Sequence, residues 1–249
     1  MTPLFDCQCG FGGTAPGVVG EVPREDLTAE MDRLGIGRAL VRVLPDGLNR
    51  DVAEGDRLLY EACAEDARLV PCPVLVPDGA ANRAAHDALV ADAVGRGARA
   101  AFLRPRPDHW SLHEWCCGTF LGALEEARLP AYVLERDVSL ADVADVARRH
   151  PGLPVILAGV GYRSQRELLP LLRARPRVHL SVGSNYCVHY GLEQLVDVAG
   201  PDRLLFGTGF PGVVPATAVT MLAYAEIGDD RKTMIGSGNL DRLLGEVAA

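Results

Sequence analysis

The chain has 249 residues, of which 48% are hydrophobic and 23% charged, and it carries a formal net charge of −8. That balance excludes wholesale disorder, and no apolar run approaches the ~20 residues of a membrane span. A single lysine, Lys232, stands among 25 basic residues, and the absence of any basic block excludes nucleic acid as the main partner. Residues 1–10 carry neither the basic nor the apolar segment of a signal peptide, so a cytoplasmic location is expected. A length near ~250 suits one α/β barrel, and residues 1–249 read as one domain.

Eight short apolar runs rich in branched residues follow one another: 3–9, 38–44, 69–76, 99–104, 129–135, 153–158, 177–182 and 203–207. Stretches with helical spacing lie between them. Leu27, Met31 and Leu34 share one helix face, as do Leu140, Val143, Ala144 and Ala147. Ser139 is expected to cap the latter helix, with Asp142 completing a variant of the capping box. Leu192, Leu195, Val196 and Ala199 repeat the pattern, and Gly35, Pro151, Pro176 and Gly200 mark helix ends. Eight apolar strands alternating with helices predict a parallel sheet covered on its outer face, closed as a single (β/α)₈ TIM barrel. An open doubly wound sheet lacks the Gly-x-Gly-x-x-Gly turn that would support it after the first run.

In a barrel the functional end lies at the C-terminal ends of the strands, which selects the residues to weigh. Asp6 is two residues before Gln8 on the first strand, an interior carboxylate that is either a proton donor of raised pKa or tied into structural hydrogen bonds. Arg104 and Arg106, in Leu103-Arg-Pro-Arg-Pro107, are placed to capture a carboxylate or phosphate; the alternative is an outward salt bridge. His109 and His113 follow the same strand and, four apart on a helix, could share a face; simple amphipathic helix entry is the competing reading. Glu135 and Arg136 end the fifth strand and either point inward or pair with each other. His189 and Asn185 lie in the polar loop after the seventh strand, His189 as a candidate general acid or base and Asn185 as a ligand contact. His86, His150 and His179 read as structural. The seven cysteines are expected to be free, and strand alternation puts Cys7 and Cys9 together beneath the helices.

The segments 5–12, 129–134, 153–161, 204–211 and 238–244, in this order and spacing, resemble the amidohydrolase-related family, the metal-dependent hydrolase and decarboxylase branch of the amidohydrolase superfamily. The resemblance implies a TIM barrel with a metal at the strand ends. It also exposes departures. The family's Asp-x-His-x-His on the first strand aligns its histidines with Gln8 and Gly10. The fifth-strand histidine falls at Leu134 or Glu135, the sixth-strand histidine at Gly159, and the eighth-strand aspartate at Gly209. Gly and Leu offer no side-chain ligand and Gln is a poor one for a divalent transition metal, so no metal or other cofactor is expected. The three glycines predict a wider or reshaped mouth, either as drift or as room for a ligand.

Two functions compete, with a metalloenzyme whose ligands are rebuilt from His109, His113 and His189 as a third alternative. One is a metal-independent hydrolase or lyase acting on a small carboxylated or cyclic compound, with Arg104, Arg106, Gln8, Glu135 and Asn185 binding it and His189, His109 or Asp6 moving a proton. The other is a catalytically inactive barrel that binds a small anionic ligand or a partner protein. Apolar residues around Trp110 and Trp115 also suggest a homodimer.

Overall fold

In the computed structural model all eight apolar runs are strands; residues 3–13, 20–44, 52–80 and 82–248 are described. The strands are β1 (Leu4–Phe11), β2 (Ile36–Val43), β3 (Leu69–Pro71), β4 (Ala101–Leu103), β5 (Ala131–Leu134), β6 (Val155–Ala158), β7 (Val178–Val182) and β8 (Leu204–Phe206). All pairings are parallel, in a three-stranded sheet β1-β2-β3 and a five-stranded sheet from β4 to β8. Single parallel bridges span the two seams, Val74 to Phe102 and Cys9 to Phe210. The second is reinforced by the Gly209 amide, which donates to the Gln8 carbonyl at 2.7 Å.

A helix follows each strand: α1 (Arg24–Leu34), α2 (Val52–Glu65), α3 (Arg83–Gly95), α4 (Glu114–Glu126), α5 (Leu140–Arg149), α6 (Gln165–Ala174), α7 (Gly191–Ala199) and α8 (Pro215–Tyr224). Local chemistry explains their limits. The Ser139 hydroxyl accepts from the Asp142 amide at 3.0 Å and Asp142 reaches back, completing the capping box of α5. Gly35 caps α1 with its amide on the Met31 carbonyl. The faces spaced for burial are buried: Leu27 and Met31 of α1, Val143 and Ala147 of α5, Leu192 and Leu195 of α7.

The chain ends in α9 (Asp229–Thr233), one π-helical turn and α10 (Asn239–Gly245). Leu240, Leu243 and Leu244 of α10 join Phe5, Leu40, Phe102, Tyr132 and Leu205 in the inner cluster, so this helix stoppers the strand-start end of the barrel. Arg38, at the start of β2, pairs with Asp241 there. A plug at that end leaves only the C-terminal ends of the strands open to a ligand.

One strand departs from simple alternation. β1 gains a residue against β2, since Asp6 pairs with Ala39 but Cys9 with Val41. Such a bulge turns two consecutive side chains toward one face. Cys7 therefore joins the inner cluster while Cys9 packs in the outer one, so the expectation that both sit beneath the helices fails for Cys7. All seven cysteines are free, and burial pushes the Cys7 thiol up to about 12, where it is inert.

Candidate functional site

The open end of the barrel holds a cavity of about 240 Å³. Its wall is built from Gln8 of β1, Arg42 and Leu44 at the end of β2, Leu134, Glu135 and Arg136 after β5, Gly159, Asn185, and residues 209–213 after β8. Ligand pockets for drug-sized molecules run about 300–1,000 Å³, so this one suits something smaller.

Three polar side chains organise the floor. Asp6 is buried at 1% exposure, and burial pushes its carboxyl pKa up, against the pull of its hydrogen bonds and of Arg42. One carboxylate oxygen accepts from the amides of Gln8 (2.8 Å) and Thr208 (3.0 Å); the other accepts from the Thr208 hydroxyl. Asp6 thus ties β1 to β8 and does not line the cavity. Gln8 is 8% exposed, and its Oε1 accepts from the Ser181 hydroxyl at 2.8 Å and the Gly159 amide at 3.3 Å. Those two donors fix the amide so that Nε2 faces the space between Gly159 and Gly209.

Arg42 is the third. It is 8% exposed, its Nη1 donates to the Tyr132 hydroxyl at 3.0 Å, and its guanidinium lies 5.2 Å and 5.4 Å from the ring centroids of Tyr132 and Phe102. Arginine keeps its charge in such surroundings. It forms no ion pair among the described residues, and its Nε is buried without a hydrogen-bond partner. A buried cation outside any ion pair, with Asp6 acting on it through space, still favours an anion in the cavity.

The glycines shape the wall differently from the expected widening. A Cβ on Gly10 would meet Leu44 Cδ2 and the Arg42 carbonyl oxygen, each at 2.8 Å. A Cβ on Gly209 would meet Val213 Cγ2 at 2.6 Å. Leu44 and Val213 have therefore moved into the space that larger residues would need. Only Gly159 leaves room, its nearest neighbours being 3.8–3.9 Å from a built Cβ. The cavity is a narrowed mouth with one open side toward β6.

The other candidates disperse. Arg104 is buried but forks onto Asp108, Nη2 to Oδ1 at 2.7 Å and Nε to Oδ2 at 3.0 Å, and does not line the mouth. Arg106 is exposed and also outside the lining. His109 is exposed with φ 56 in the turn before α4, and His113 sits at the N-cap of that helix against Ser111. The turn that puts His109 in the left-handed region breaks the i, i+4 relation, so the two imidazoles share no helix face. His189 is exposed beside Tyr190 and outside the cavity wall. Glu135 lines the mouth but does not pair with Arg136: it accepts from the Gly161 amide at 3.1 Å and the Ser164 hydroxyl. Asn185 lines it too, from an exposed position.

Arg42 and Leu44 are the residues that sequence reasoning missed. The signal for Arg42 was an arginine inside an otherwise apolar strand, Ala39-Leu-Val-Arg-Val43.

These residues do not fit a divalent transition metal. At the aligned strand-end positions Gln8 offers an amide already committed through its oxygen, and Gly10, Gly159 and Gly209 offer no side chain. Both Asp6 oxygens are taken, and the Arg42 cation is directed at the same space. No group of three or more His, Cys, Asp or Glu side chains among the described residues is arranged to hold a metal ion.

The family model described as amidohydrolase matches residues 22–245. No curated protein matches the chain in sequence. Among solved structures, an uncharacterised TIM-barrel protein from Bordetella bronchiseptica is 18% identical, with a TM-score of 0.75 over 98% of this chain and 99% of its own. A 2,6-dihydroxybenzoate decarboxylase from Rhizobium is 16% identical, with a TM-score of 0.72 over 98% and 99%. A dihydroxybenzoic acid decarboxylase from Polaromonas sp. JS666, solved with manganese and the inhibitor 2-nitroresorcinol, is 15% identical, with a TM-score of 0.76 over 100% and 98%. At these identities the likeness establishes the TIM-barrel fold.

Proposed function

The chain belongs to the amidohydrolase family, and from that premise we propose that it is a hydrolase or lyase that takes a small carboxylated ring compound into the mouth cavity without using a metal. One observation carries the reading: the buried guanidinium of Arg42 lines the cavity and forms no ion pair among the described residues, with Asp6 acting on it only through space. A ligand carboxylate supplies the pairing charge, and a charge-assisted hydrogen bond in a desolvated site is among the stronger polar contacts. Phe210, Leu134 and Val213 offer apolar wall for a ring. The structural neighbours that act on dihydroxybenzoates, named above, support the choice of an aromatic acid.

Glu135 is the one carboxyl group in the cavity wall among the described residues, and it takes the role of moving a proton at the ligand. A second reading, a barrel that binds but does not turn over, draws on the same residue. Both Glu135 oxygens already accept hydrogen bonds, and no histidine among the described residues lines the cavity.

Calorimetric titration with benzoate, benzamide and hydroxylated benzoates tests the binding claim. The acid is expected to bind and the uncharged amide to bind at least about tenfold more weakly, the scale of one charge-assisted contact. Equal affinity for both would remove the role of Arg42. Product analysis of the acids that bind then separates the two readings: Glu135→Gln abolishes turnover in the first, and no acid turns over in the second.

A further inference from the structure

We infer that Gln8 is a specificity-determining residue: its Nε2 donates to a second oxygen on the ligand whose carboxylate pairs with Arg42, so the site selects ring acids carrying a hydroxyl or carbonyl oxygen over the plain acid. This rests on the proposed mouth ligand and adds a second recognition point to it.

Two donors, the Ser181 hydroxyl and the Gly159 amide, converge on one end of the Gln8 side chain, so that end is the carbonyl oxygen. The amino end is then fixed. It lies 3.9 Å and 3.6 Å from where Cβ atoms on Gly159 and Gly209 would be, in a part of the wall that no side chain of the described residues fills. Nε2 has no protein acceptor among the described residues, although the side chain as a whole is more than nine-tenths buried. A buried amide held rigidly by one end, with its donor end open to a cavity, is preorganised for an acceptor.

The amide does more than fill space. An apolar residue would fill the gap but leave the Ser181 hydroxyl and Gly159 amide without their acceptor. Here those groups are spent on orienting the amide. Arg42 supplies charge, which any carboxylate satisfies; Gln8 supplies a neutral donor at a second point of the same cavity, which plain benzoate leaves unused. The pair therefore reads two features of one small ligand.

The test is a titration of benzoate and 2-hydroxybenzoate into the wild-type chain, Gln8→Met, Gln8→Glu and Arg42→Lys. The wild type is expected to prefer 2-hydroxybenzoate by about tenfold, the weight of one hydrogen bond to a charged or strongly polar ligand. Gln8→Met loses that preference while still binding benzoate. Gln8→Glu keeps an acceptor for Ser181 and Gly159, so it folds, but it presents an oxygen where the donor was. Its affinity for 2-hydroxybenzoate falls at pH 8 and recovers at lower pH as the carboxyl takes up a proton and can donate again. Arg42→Lys weakens both acids and leaves their ratio unchanged. A wild-type preference that survives in Gln8→Met overturns the inference and leaves the carboxylate site standing. Failure of the wild type to bind either acid overturns the carboxylate site and the inference with it.

Discussion

Leu44 stands where a side chain on residue 10 would have to go: its Cδ2 lies 2.8 Å from a Cβ built on Gly10, and the Arg42 carbonyl oxygen lies as close. One of those contacts is backbone and cannot swing aside. Restoring a histidine here is therefore blocked by the present path of β2 as well as by the lost side chain. Gly10→Ala is expected to destabilise the fold by about 1–3 kcal/mol, the range for overpacking a filled interior. Adding Leu44→Ala to Gly10→Ala recovers only part of that loss, because the carbonyl contact remains. Thermal unfolding of the two variants checks this; a Gly10→Ala protein as stable as wild type would show that β2 yields.

The seam between the first and last strands depends on one buried acid. Thr208 gives Asp6 both its amide and its hydroxyl, and the hydroxyl also accepts from the Phe210 amide at 3.1 Å. Thr208→Val keeps the shape and removes the hydroxyl, at an expected cost of about 1–3 kcal/mol for a buried carboxylate left short of a donor. Burial already holds the Asp6 pKa above its ordinary value, so its favourable contribution is full below about pH 4 and is lost as pH rises through the folded value. Removing a donor to the ionised form raises the folded value further. The gap between wild type and Thr208→Val should thus widen as pH rises above the ordinary carboxylate range through the folded values of the two proteins, and a gap that narrows with rising pH would contradict it.

His179 on β7 sets a second pH response of the opposite sign. It is 5% exposed, neither ring nitrogen has a partner, and burial followed by the charges of Arg177, Arg242 and Arg203 lowers its pKa to about 4. A depressed folded pKa means the unfolded chain binds the proton first. The stability it confers is full above about pH 6.5 and is lost as pH falls through about 4, a loss of ~3 kcal/mol if the full shift holds. Asp56, whose pKa burial raises to about 6, works against this by losing its contribution as pH rises through about 6. The difference between wild type and His179→Leu isolates the histidine. Denaturant titrations should find His179→Leu gaining on wild type steadily from pH 6.5 to pH 4, and parallel curves would refute the assignment.

The barrel was legible in the sequence because its signal is repeated. All eight apolar runs became strands, and the helix faces at Leu27, Val143 and Leu192 are buried as their spacing requires. The family was legible from the order of the strand-end segments and is shown by the match over residues 22–245. The site was much less so. Strand alternation misplaced Cys7 because a one-residue bulge in β1 changes the face, and no residue type announces such a bulge. The glycines declared missing side chains but not what would replace them, since Leu44 and Val213 reach the gaps from other segments. Arg104 looked placed for an anion, yet Asp108 four residues later provides its own fork of hydrogen bonds. Arg42 was hidden in plain view: alternation placed it within a strand, but only the assembled interior shows its guanidinium on the Tyr132 hydroxyl with its Nε unpartnered.

In the proposed function Arg42, and not a bound divalent ion, provides the positive charge for a carboxylated ligand at the mouth. The most direct measurement is the affinity for 2-hydroxybenzoate by calorimetry, before and after exhaustive chelation and then with added manganese, in wild type and in Arg42→Gln. One affinity is expected in all three wild-type conditions, with a loss of about tenfold or more in Arg42→Gln, the weight of a charge-assisted contact. Binding that vanishes on chelation, returns with manganese and persists in Arg42→Gln would contradict it.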